Sequence, residues 1–314
     1  ALASLGLDLP QEVLVARQLF AVRAIDVPTG LQRHYARHYV NVDRGRFQDY
    51  LMSLTPPGVD VRPGHAFKAA SRERGGFRIT FVADGRSITE HARVLVAADG
   101  ANSAVRRQLT GRRPWPKTYL TIQEWFEAPR PAPYFAAVFD PEVTDYYCWA
   151  IPKDDRLIVG AALWPARSAL RRFELLKSRL AGFGIHLGRA VRREGGLLLR
   201  PTSTQQLCPY ADGVALIGEA AGWVSPSSGE GISYALRSAA ILAEAIHESH
   251  GDFAAGYLAR CRALRADIRL KLLKCPLIYR PPLRAALLRS GLGAMRMLPP
   301  PVSRAVAKPR PVLR

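Results

Sequence analysis

The chain contains two segments in which an apolar strand leads into an acidic residue, glycine and small residues, and then a helix. The first spans Val94–Arg107 and reads VLVAADGANSAVRR, and the second spans Val214–Ile246 and begins VALIGEAAG. The acids at the two strand ends are Asp99 and Glu219. Small residues let a ligand approach the backbone, and the positive end of the following helix attracts negative groups. The two segments together predict a dinucleotide site in an α/β fold.

The sequence lacks the glycine-rich loop that usually accompanies such segments. Dinucleotide-binding folds ordinarily carry a GxGxxG turn after their first strand, where the diphosphate meets a helix N-terminus. No such turn follows a strand in the 314 residues. We therefore expect a nucleotide-binding domain that is incomplete at its N-terminus. Because the chain starts at Ala1 and not at Met, processing and an incomplete sequence are both open explanations.

Composition favours a globular protein of two domains. Hydrophobic residues make up 48% of the chain and charged residues 23%, which allows a sizeable core. The net charge is +19, but the basic region has little aromatic interleaving and matches no nucleic-acid-binding module, so we expect no nucleic-acid partner. The four cysteines form no CxxC pair and have no histidine at metal-binding spacing. This pattern indicates reduced thiols, a cytoplasmic location and no metal site.

Residues 1–112 and 201–250 are expected to form the discontinuous nucleotide-binding domain. Local patterns predict a short helix at Ala1–Gly6, strands near Val13–Asp26 and Tyr35–Val42, a helix at Arg44–Leu54 capped by Asp43, and an antiparallel meander within His65–Val96. The run Val94–Ala98 does not alternate with polar residues, which predicts a strand buried on both faces. A helical stripe over Ile232–His247 predicts a helix packed beside Val214–Ile217 through Ile232, Ala235, Leu236, Ala239, Leu242, Ala243 and Ile246.

Residues 113–200 are expected to form a second, β-rich domain. Between Trp115 and Trp164 lie 11 of the 27 aromatic residues, interleaved with prolines and β-branched residues, which is typical of antiparallel sheet. An amphipathic helix is predicted at Ala169–Leu187. The sheet either lines a cavity for an apolar small-molecule substrate or is an ordinary packed core.

Residues 251–314 are expected to form a basic helical region. Arg260–Arg314 holds 14 Lys and Arg residues against one acid, Asp267. The polar face of the pattern is almost purely basic, and prolines divide it into helical pieces at Pro276, Pro281 and Pro282. Basic amphipathic pieces within residues 260–298 can contact an anionic membrane, or they can pack their apolar stripe on the protein body.

The second acid-containing segment predicts more detailed chemistry. Glu219 stands among small residues in Gly218–Gly222, where its carboxylate can accept a hydrogen bond from a ribityl or ribose hydroxyl. Pro226 through Gly231 then turns the chain so that the next helix begins facing the same place. A positive helix end beside the pyrimidine of a flavin stabilises the negative charge of the reduced ring.

The order and spacing of these motifs resemble the FAD-dependent oxidoreductases built on the p-hydroxybenzoate hydroxylase fold, and among them the geranylgeranyl reductase-like branch. The branch is suggested by Tyr147–Lys153, YCWAIPK, which is similar to that group's YxWxFPK motif, and by the glycine turn at Gly195-Gly196-Leu197. Gly218–Gly222 and Ser225–Ala235 resemble its flavin-contact segment. The resemblance extends from about Leu5 to Leu264, without the opening GxGxxG segment, and with Glu219 where many relatives have Asp.

The resemblance implies a role for each of a set of residues. Cofactor-binding residues would be Arg46, Asp99, Gly100, Gly218, Glu219, Gly222, Pro226, Gly229, Gly231 and Ile232. Substrate residues would be Tyr147, Trp149 and Pro152. For the proton that completes a reduction, the sequence itself offers Tyr147 and, as a second candidate without an activating neighbour, Cys208. The alternatives are a solvated surface charge for Arg46 and a core tyrosine with a satisfied hydroxyl for Tyr147. Without the diphosphate loop, FAD binding by this chain alone is an open question.

The resulting expectation is an FAD-dependent oxidoreductase that takes a hydride from NAD(P)H or another reductant and reduces a carbon–carbon double bond of an isoprenoid or other apolar lipid. An aromatic monooxygenase on the same fold is the alternative within enzymes. The alternative outside enzymes is that the chain is an inactive remnant or a module that binds a membrane surface.

Overall fold

Three β-sheets and six α-helices organise the computed structural model, which describes residues 2–111, 113–129, 131–249 and 252–295. The strands are β1 Leu19–Asp26, β2 Leu31–Tyr39, β3 Ala66–Glu73, β4 Gly76–Ala83, β5 Arg86–Ala92, β6 Val96–Ala97, β7 Lys117–Glu127, β8 Phe135–Phe139, β9 Cys148–Lys153, β10 Arg156–Leu163, β11 Ala190–Arg200, β12 Tyr210–Ala211 and β13 Val214–Leu216. The helices are α1 Arg44–Ser53, α2 Ala104–Leu109, α3 Ala169–Leu180, α4 Ile232–Glu248, α5 Ala254–Tyr279 and α6 Pro281–Ser290.

The largest sheet has seven strands in the order β11-β7-β10-β9-β8-β1-β2. Every neighbouring pair is antiparallel except β1 and β8. Helix α3 covers one face through Phe173, Leu176 and Leu180, each of which is buried. The predicted β-rich region is therefore present, and α3 ends earlier than the predicted Leu187 because the chain turns at Gly184, which has a φ of 71°.

The opposite face of this sheet, called the second face below, has a floor of small residues beside one indole. Ala24, Ala137, Trp149 and Gly160 are direct neighbours across β1, β8, β9 and β10. The Trp149 ring lies so close over Gly160 that a Cβ there would come within 2.4 Å of it. A glycine at this position lets the indole lie flat on the sheet.

The second sheet, β12-β13-β6, is short, and β13 and β6 run parallel. Its core includes α4 and α5, and the hydroxyl of Tyr257 on α5 donates to the carbonyl of Leu216 at 2.7 Å. The prediction that Val94–Ala98 is buried on both faces is wrong for the described residues. Val94 and Val96 are exposed while Leu95 and Ala97 point into the core, so this strand is covered on one face only.

The antiparallel meander β3-β4-β5 confirms the prediction for His65–Val96. Helix α1 is also confirmed, since the Asp43 carboxylate accepts from the amide of Arg46 at 2.9 Å. At the N-terminus the structure has a 3-10 turn at Ala3–Leu5 in place of a longer helix, and Ala1 lies outside the described residues.

Two helix predictions need correction. The buried positions of α4 are Tyr234, Ser238, Leu242 and Ala245, and the predicted stripe members Ala243 and Ile246 are exposed. Tyr234 and Ser238 can occupy the buried side of α4 because each hydroxyl has a hydrogen-bond partner. Tyr234 donates to Asp267, and Ser238 accepts from the Gly218 amide. Pro276 does not divide the C-terminal region, since α5 continues through it to Tyr279.

The large sheet draws strands from two parts of the sequence. Strands β1 and β2 lie within residues 1–112, which were assigned to the nucleotide-binding domain, and they pair into the sheet formed by β7–β11. The predicted domain division stays a prediction, and its positions 112, 130, 250, 251 and 296–314 lie outside the described residues. Across the part of the chain that the structure describes, no helix combines the length and apolar character needed to span a bilayer.

Candidate functional site

The two acid-containing turns meet at one edge of the small sheet. Strands β6 and β13 are parallel, so their carboxyl ends lie side by side, and the 3-10 turns Gly100–Asn102 and Gly218–Ala221 that follow them are in contact. Ligands of open α/β sheets bind at this edge. The structure thus brings together Asp99-Gly100 and Gly218-Glu219, as the sequence predicts.

Asp99 is already engaged by the helix that follows it. Its carboxylate accepts from the Ser103 hydroxyl at 2.5 Å and from the amide of Val105 at 3.1 Å. Both bonds stabilise the first turn of α2, whose N-cap is Ser103. Gly100 has a φ of 72° and no heavy atom within 4 Å of the position of a Cβ, so its surface is open to a ligand.

Glu219 points toward the last strand of the large sheet. Its Oε1 accepts from the amide of Leu199 at 2.7 Å. Burial raises the pKa of this carboxyl group, and the Leu199 amide opposes the rise. A half-buried carboxylate with one oxygen committed to backbone retains acceptor capacity for a hydroxyl group.

Gly218 and Gly222 have different roles. Gly218 has a φ of 53°, and a Cβ there would lie 3.2 Å from Ala235 of α4, so this glycine allows the turn to touch the helix. Gly222 faces the other way, toward the Gln206 carbonyl and Pro116. The structure therefore brings Gly218, and not Gly222, to the junction with α4.

The loop before α4 is held by side chains that donate to four consecutive carbonyl groups, those of residues 225–228. Tyr146 donates to Ser225 at 3.3 Å, Arg200 to Pro226 at 3.1 Å, Tyr279 to Ser227 at 2.8 Å, and Tyr147 to Ser228. Three of the donors are tyrosines: Tyr146 and Tyr147 are adjacent in the sequence, and Tyr279 comes from the end of α5. The loop that carries the predicted residues Pro226 and Gly229 is thus fixed to the second face of the large sheet.

Arg200 is the functional candidate that the motif analysis missed. Its guanidinium lies 4.2 Å from the ring centre of Tyr146 and 4.1 Å from that of Tyr279, and the residue is only 8% exposed. A buried cation between two aromatic faces beside a ligand loop is an unusual arrangement, because charge is costly to bury without partners. Its sequence signal is weak: a single arginine at the end of an apolar strand, LLLR.

Helix α4 begins where this loop ends. Gly231 is its N-cap and uses no side chain, while the Glu230 carboxylate accepts from the Ser233 amide at 2.7 Å. A Cβ on Gly229 would lie 3.3 Å from both the Tyr147 hydroxyl and Leu198, so this turn sits directly against the tyrosine cluster. The predicted residues Gly229, Gly231 and Ile232 therefore lie between the small sheet and the second face.

The predicted substrate residues follow β9 away from this loop. Tyr147 is half-buried and packs edge-on against Tyr146, and burial raises its pKa. Trp149 is its next neighbour on the second face, with 5.8 Å between ring centres. Pro152 is buried, and its carbonyl accepts from the Asn41 side chain at 2.9 Å. The same asparagine accepts from Lys153 at 2.5 Å, and burial lowers the pKa of Lys153 to about 8.

Besides Gly222, the predicted residues Arg46 and Cys208 lie away from this junction. Arg46 lies on α1, where its guanidinium donates to the Glu12 carbonyl at 2.9 Å, which matches the surface-charge alternative. Cys208 is 4% exposed in the core under the small sheet, and burial raises the pKa of its thiol. The structure places neither side chain on the second face.

The arginines after Asp99 are also committed to protein groups. Arg106 is buried and donates to the carbonyls of Ala220, Pro114 and Gln206. Arg107 donates to Asn102. The Arg106 bonds fix α2 to the turn after β13 and keep its guanidinium inside the protein, whereas Arg107 is exposed.

Comparison with known sequences identifies the relatives of the chain. It is 39% identical over 293 residues to Protein CbrA of Escherichia coli O9:H4 (strain HS), a match that covers 93% of this chain and 80% of that protein. The chain belongs to the CbrA family. A CbrA protein of Shigella sonnei (strain Ss046) is 38% identical, with 93% of this chain and 82% of that protein covered. No family model matches the CbrA-family chain.

Solved structures define the fold of this CbrA-family member. A geranylgeranyl bacteriochlorophyll reductase-like protein from Thermoplasma acidophilum superposes with a TM-score of 0.68 at 16% identity, covering 91% of this chain and 86% of that one. Klebsiella pneumoniae HpxO complexed with FAD and uric acid gives 0.64 at 19% identity, covering 92% and 80%. The flavin-dependent halogenase CmlS gives 0.63 at 19% identity, covering 83% and 52%. The predicted resemblance to FAD-dependent oxidoreductases, with a geranylgeranyl reductase-like protein among them, is confirmed in the fold.

Proposed function

We propose that the chain is an FAD-dependent oxidoreductase that reduces a carbon–carbon double bond of an isoprenoid or other apolar lipid. The observation that carries the proposal is the junction between the turn Gly218–Ala221, the start of α4 and the tyrosine-held loop of residues 225–228. This junction lies directly beside the second face, where the aromatic and small residues form an apolar floor.

The described residues fit the ring and ribityl part of FAD. Gly100 leaves backbone surface uncovered, and Glu219 offers a carboxylate oxygen for a hydroxyl. The start of α4 adds a partial positive charge at the same junction. At the Asp99 turn, the Arg106 guanidinium is buried against protein carbonyls and Asp99 itself is an anion, so neither side chain suits a diphosphate. The proposal therefore places the ring at α4 and leaves the diphosphate to backbone amides.

When bound, FAD would supply the hydride chemistry, with NAD(P)H or another reductant as the electron source. The residues of the chain position the substrate and exclude water. Trp149 and the floor of Ala24, Ala137 and Gly160 offer an apolar surface to a lipid chain. Tyr147 is protonated at neutral pH, and its hydroxyl reaches the ring loop, where it donates to the Ser228 carbonyl. It is the proton donor that the proposal favours.

The test is reconstitution with FAD followed by anaerobic assay. Purified protein is titrated with FAD and followed by visible absorbance and flavin fluorescence, then incubated with NAD(P)H or dithionite and a polyprenyl lipid. Saturated product formed without oxygen supports the proposal. Product that requires oxygen indicates a monooxygenase instead. Protein that is folded by circular dichroism but binds no FAD contradicts the flavoenzyme proposal.

The variant Tyr147→Phe separates positioning from proton transfer. If the Tyr147 hydroxyl gives the proton, Phe should leave FAD binding close to that of the wild type and slow the reduction step about 100-fold or more, which is the usual scale of general acid catalysis. Cys208→Ser is the matched control, because Cys208 lies in the core away from the second face. Equal rates in wild type and Tyr147→Phe would remove Tyr147 from the proposed chemistry.

A further inference from the structure

The outward side of α5 is apolar. Residues at alternating four- and three-residue spacing, which share one helix face, are all exposed: Ala259, Ala263, Ala266, Leu270, Leu273 and Leu277. The exposed fraction is 60% for Leu270, 70% for Leu273 and 48% for Leu277. The opposite side of the same helix is the one that packs into the core, through Tyr257, Cys261, Leu264 and Ile268. A helix on a protein surface normally presents polar residues outward.

Basic residues border this apolar stripe. At about 100° per residue, Arg262 and Arg269 lie along one side of the stripe and Lys274 along the other. Within the described parts of the chain, none of these three cations has a carboxylate partner. After Asp267 the sequence has no acidic residue and 11 Lys and Arg residues. An apolar stripe with cations on both sides is the pattern of helices that lie in the interface of an anionic membrane.

We propose that the outer face of α5 docks on an anionic lipid bilayer. The helix would lie parallel to the surface with Leu270, Leu273 and Leu277 among the acyl chains and its cations at the headgroups. The stripe from Ala259 to Leu277 is about 27 Å long, enough to form an elongated contact. This refines the predicted membrane contact over residues 260–298, of which 296–298 lie outside the described residues.

Charge favours an anionic bilayer over two other partners for this side of α5, a second copy of the chain and the C-terminal sequence. A second copy of the chain would place Arg262, Arg269 and Lys274 opposite the same cations, which repel one another. The sequence after residue 295 is no better suited as a cover, since its charged residues are Lys and Arg alone. An anionic bilayer satisfies both the apolar stripe and the cations beside it.

The docked helix would lead to the candidate site. Tyr279 follows Leu277 by two residues, and its hydroxyl donates to the Ser227 carbonyl in the loop before α4. The membrane-bound end of α5 is thus joined to the loop that the proposed function assigns to the flavin ring. That consequence rests on the proposed function, whereas docking itself does not.

Vesicle co-sedimentation of the full chain tests docking. Phosphatidylcholine vesicles with and without phosphatidylglycerol are compared at low and high salt, for wild type and for the triple variant Leu270→Ser, Leu273→Ser, Leu277→Ser. The matched control is Val59→Ser, Leu170→Ser, Val191→Ser, which changes three exposed aliphatic residues outside α5. Circular dichroism verifies folding of each variant, and sedimentation velocity reports self-association.

We expect wild type and the control to bind vesicles that contain phosphatidylglycerol, with binding that weakens as salt rises. The α5 variant should lose at least about tenfold in partition coefficient, since burial of three leucines contributes most of the apolar term. The proposal is overturned if wild type binds neither vesicle, if the α5 variant binds as wild type does, or if the leucines instead support a dimer. FAD binding is measured in parallel without lipid. Failure to bind FAD would contradict the proposed function and leave membrane docking unaffected, and failure to bind vesicles would do the reverse.

Discussion

Replacement of Arg200 by methionine tests whether the buried cation holds the loop of residues 225–228. Methionine keeps an unbranched apolar stem between the rings of Tyr146 and Tyr279 but removes the positive charge and the bond to the Pro226 carbonyl. A hydrogen bond to a charged group contributes about 1.5–3 kcal/mol, and each cation–ring contact about 0.5–2 kcal/mol. Release of a buried charge offsets part of this loss. We expect the free energy of unfolding to fall by about 2–4 kcal/mol.

The measurement is urea unfolding followed by tryptophan fluorescence, together with hydrogen exchange in the loop. In the folded chain the amides of Ser225 and Gly229 donate to Glu230 and Ser225 respectively, so both should exchange faster in Arg200→Met. Arg192→Met on the same strand is the control, since that side chain is 67% exposed and should change stability by less than about 0.5 kcal/mol. An Arg200→Met variant that unfolds as Arg192→Met does, with unchanged exchange at Ser225 and Gly229, would refute the role of the cation.

Three further predictions concern other charged groups. Arg284→Met should destabilise the chain by about 3–5 kcal/mol in urea unfolding, because it leaves the Asp26 carboxylate, 1% exposed, without its cation. Lys153, whose pKa is lowered to about 8 by burial, is protonated below that pH, so the pH profile of its acetylation by mass spectrometry should have a midpoint near 8; a midpoint near 10.5 would contradict this. Glu219→Gln removes a carboxyl whose pKa burial raises, so the folded state favours the protonated acid and loses stability as pH rises through that pKa. The variant should therefore gain stability relative to wild type between acidic and neutral pH while binding FAD more weakly, and a pH-independent difference in unfolding would rule out this account.

Much of the fold could be predicted because it rests on local patterns. The β3–β5 meander follows from glycine turns between alternating strands, and α1 follows from the Asp43 cap. The meeting of Asp99 and Glu219 could be predicted because both acids end parallel strands. The meander and the helix cap are features that a few neighbouring residues determine by themselves.

What could not be predicted depends on contacts between distant residues. Nothing local shows that β1 pairs in parallel with β8, which brings the early strands into the large sheet. The inward side of α4 was misassigned because Tyr234 and Ser238 are polar by type, and only their partners on α5 and in the turn after β13 make them suitable for burial. For α5 the sequence predicted one apolar stripe, either packed or facing a membrane, and did not predict that the helix has apolar residues on two sides, because a periodicity argument assumes a single apolar side.

The end of β11 joins the two halves of the candidate site. The amide of Leu199 donates to Glu219, and the next residue, Arg200, donates to Pro226. One strand end therefore fixes both the acid after β13 and the loop before α4, with an anion and a cation at adjacent positions. Because the cation is buried beside the loop proposed to contact the flavin, it would favour a negatively charged ligand at that place over a neutral one. Since the reduced flavin ring carries such a charge, the proposed function gives this arginine a second reason to be buried, beside the loop contacts through which it stabilises the fold.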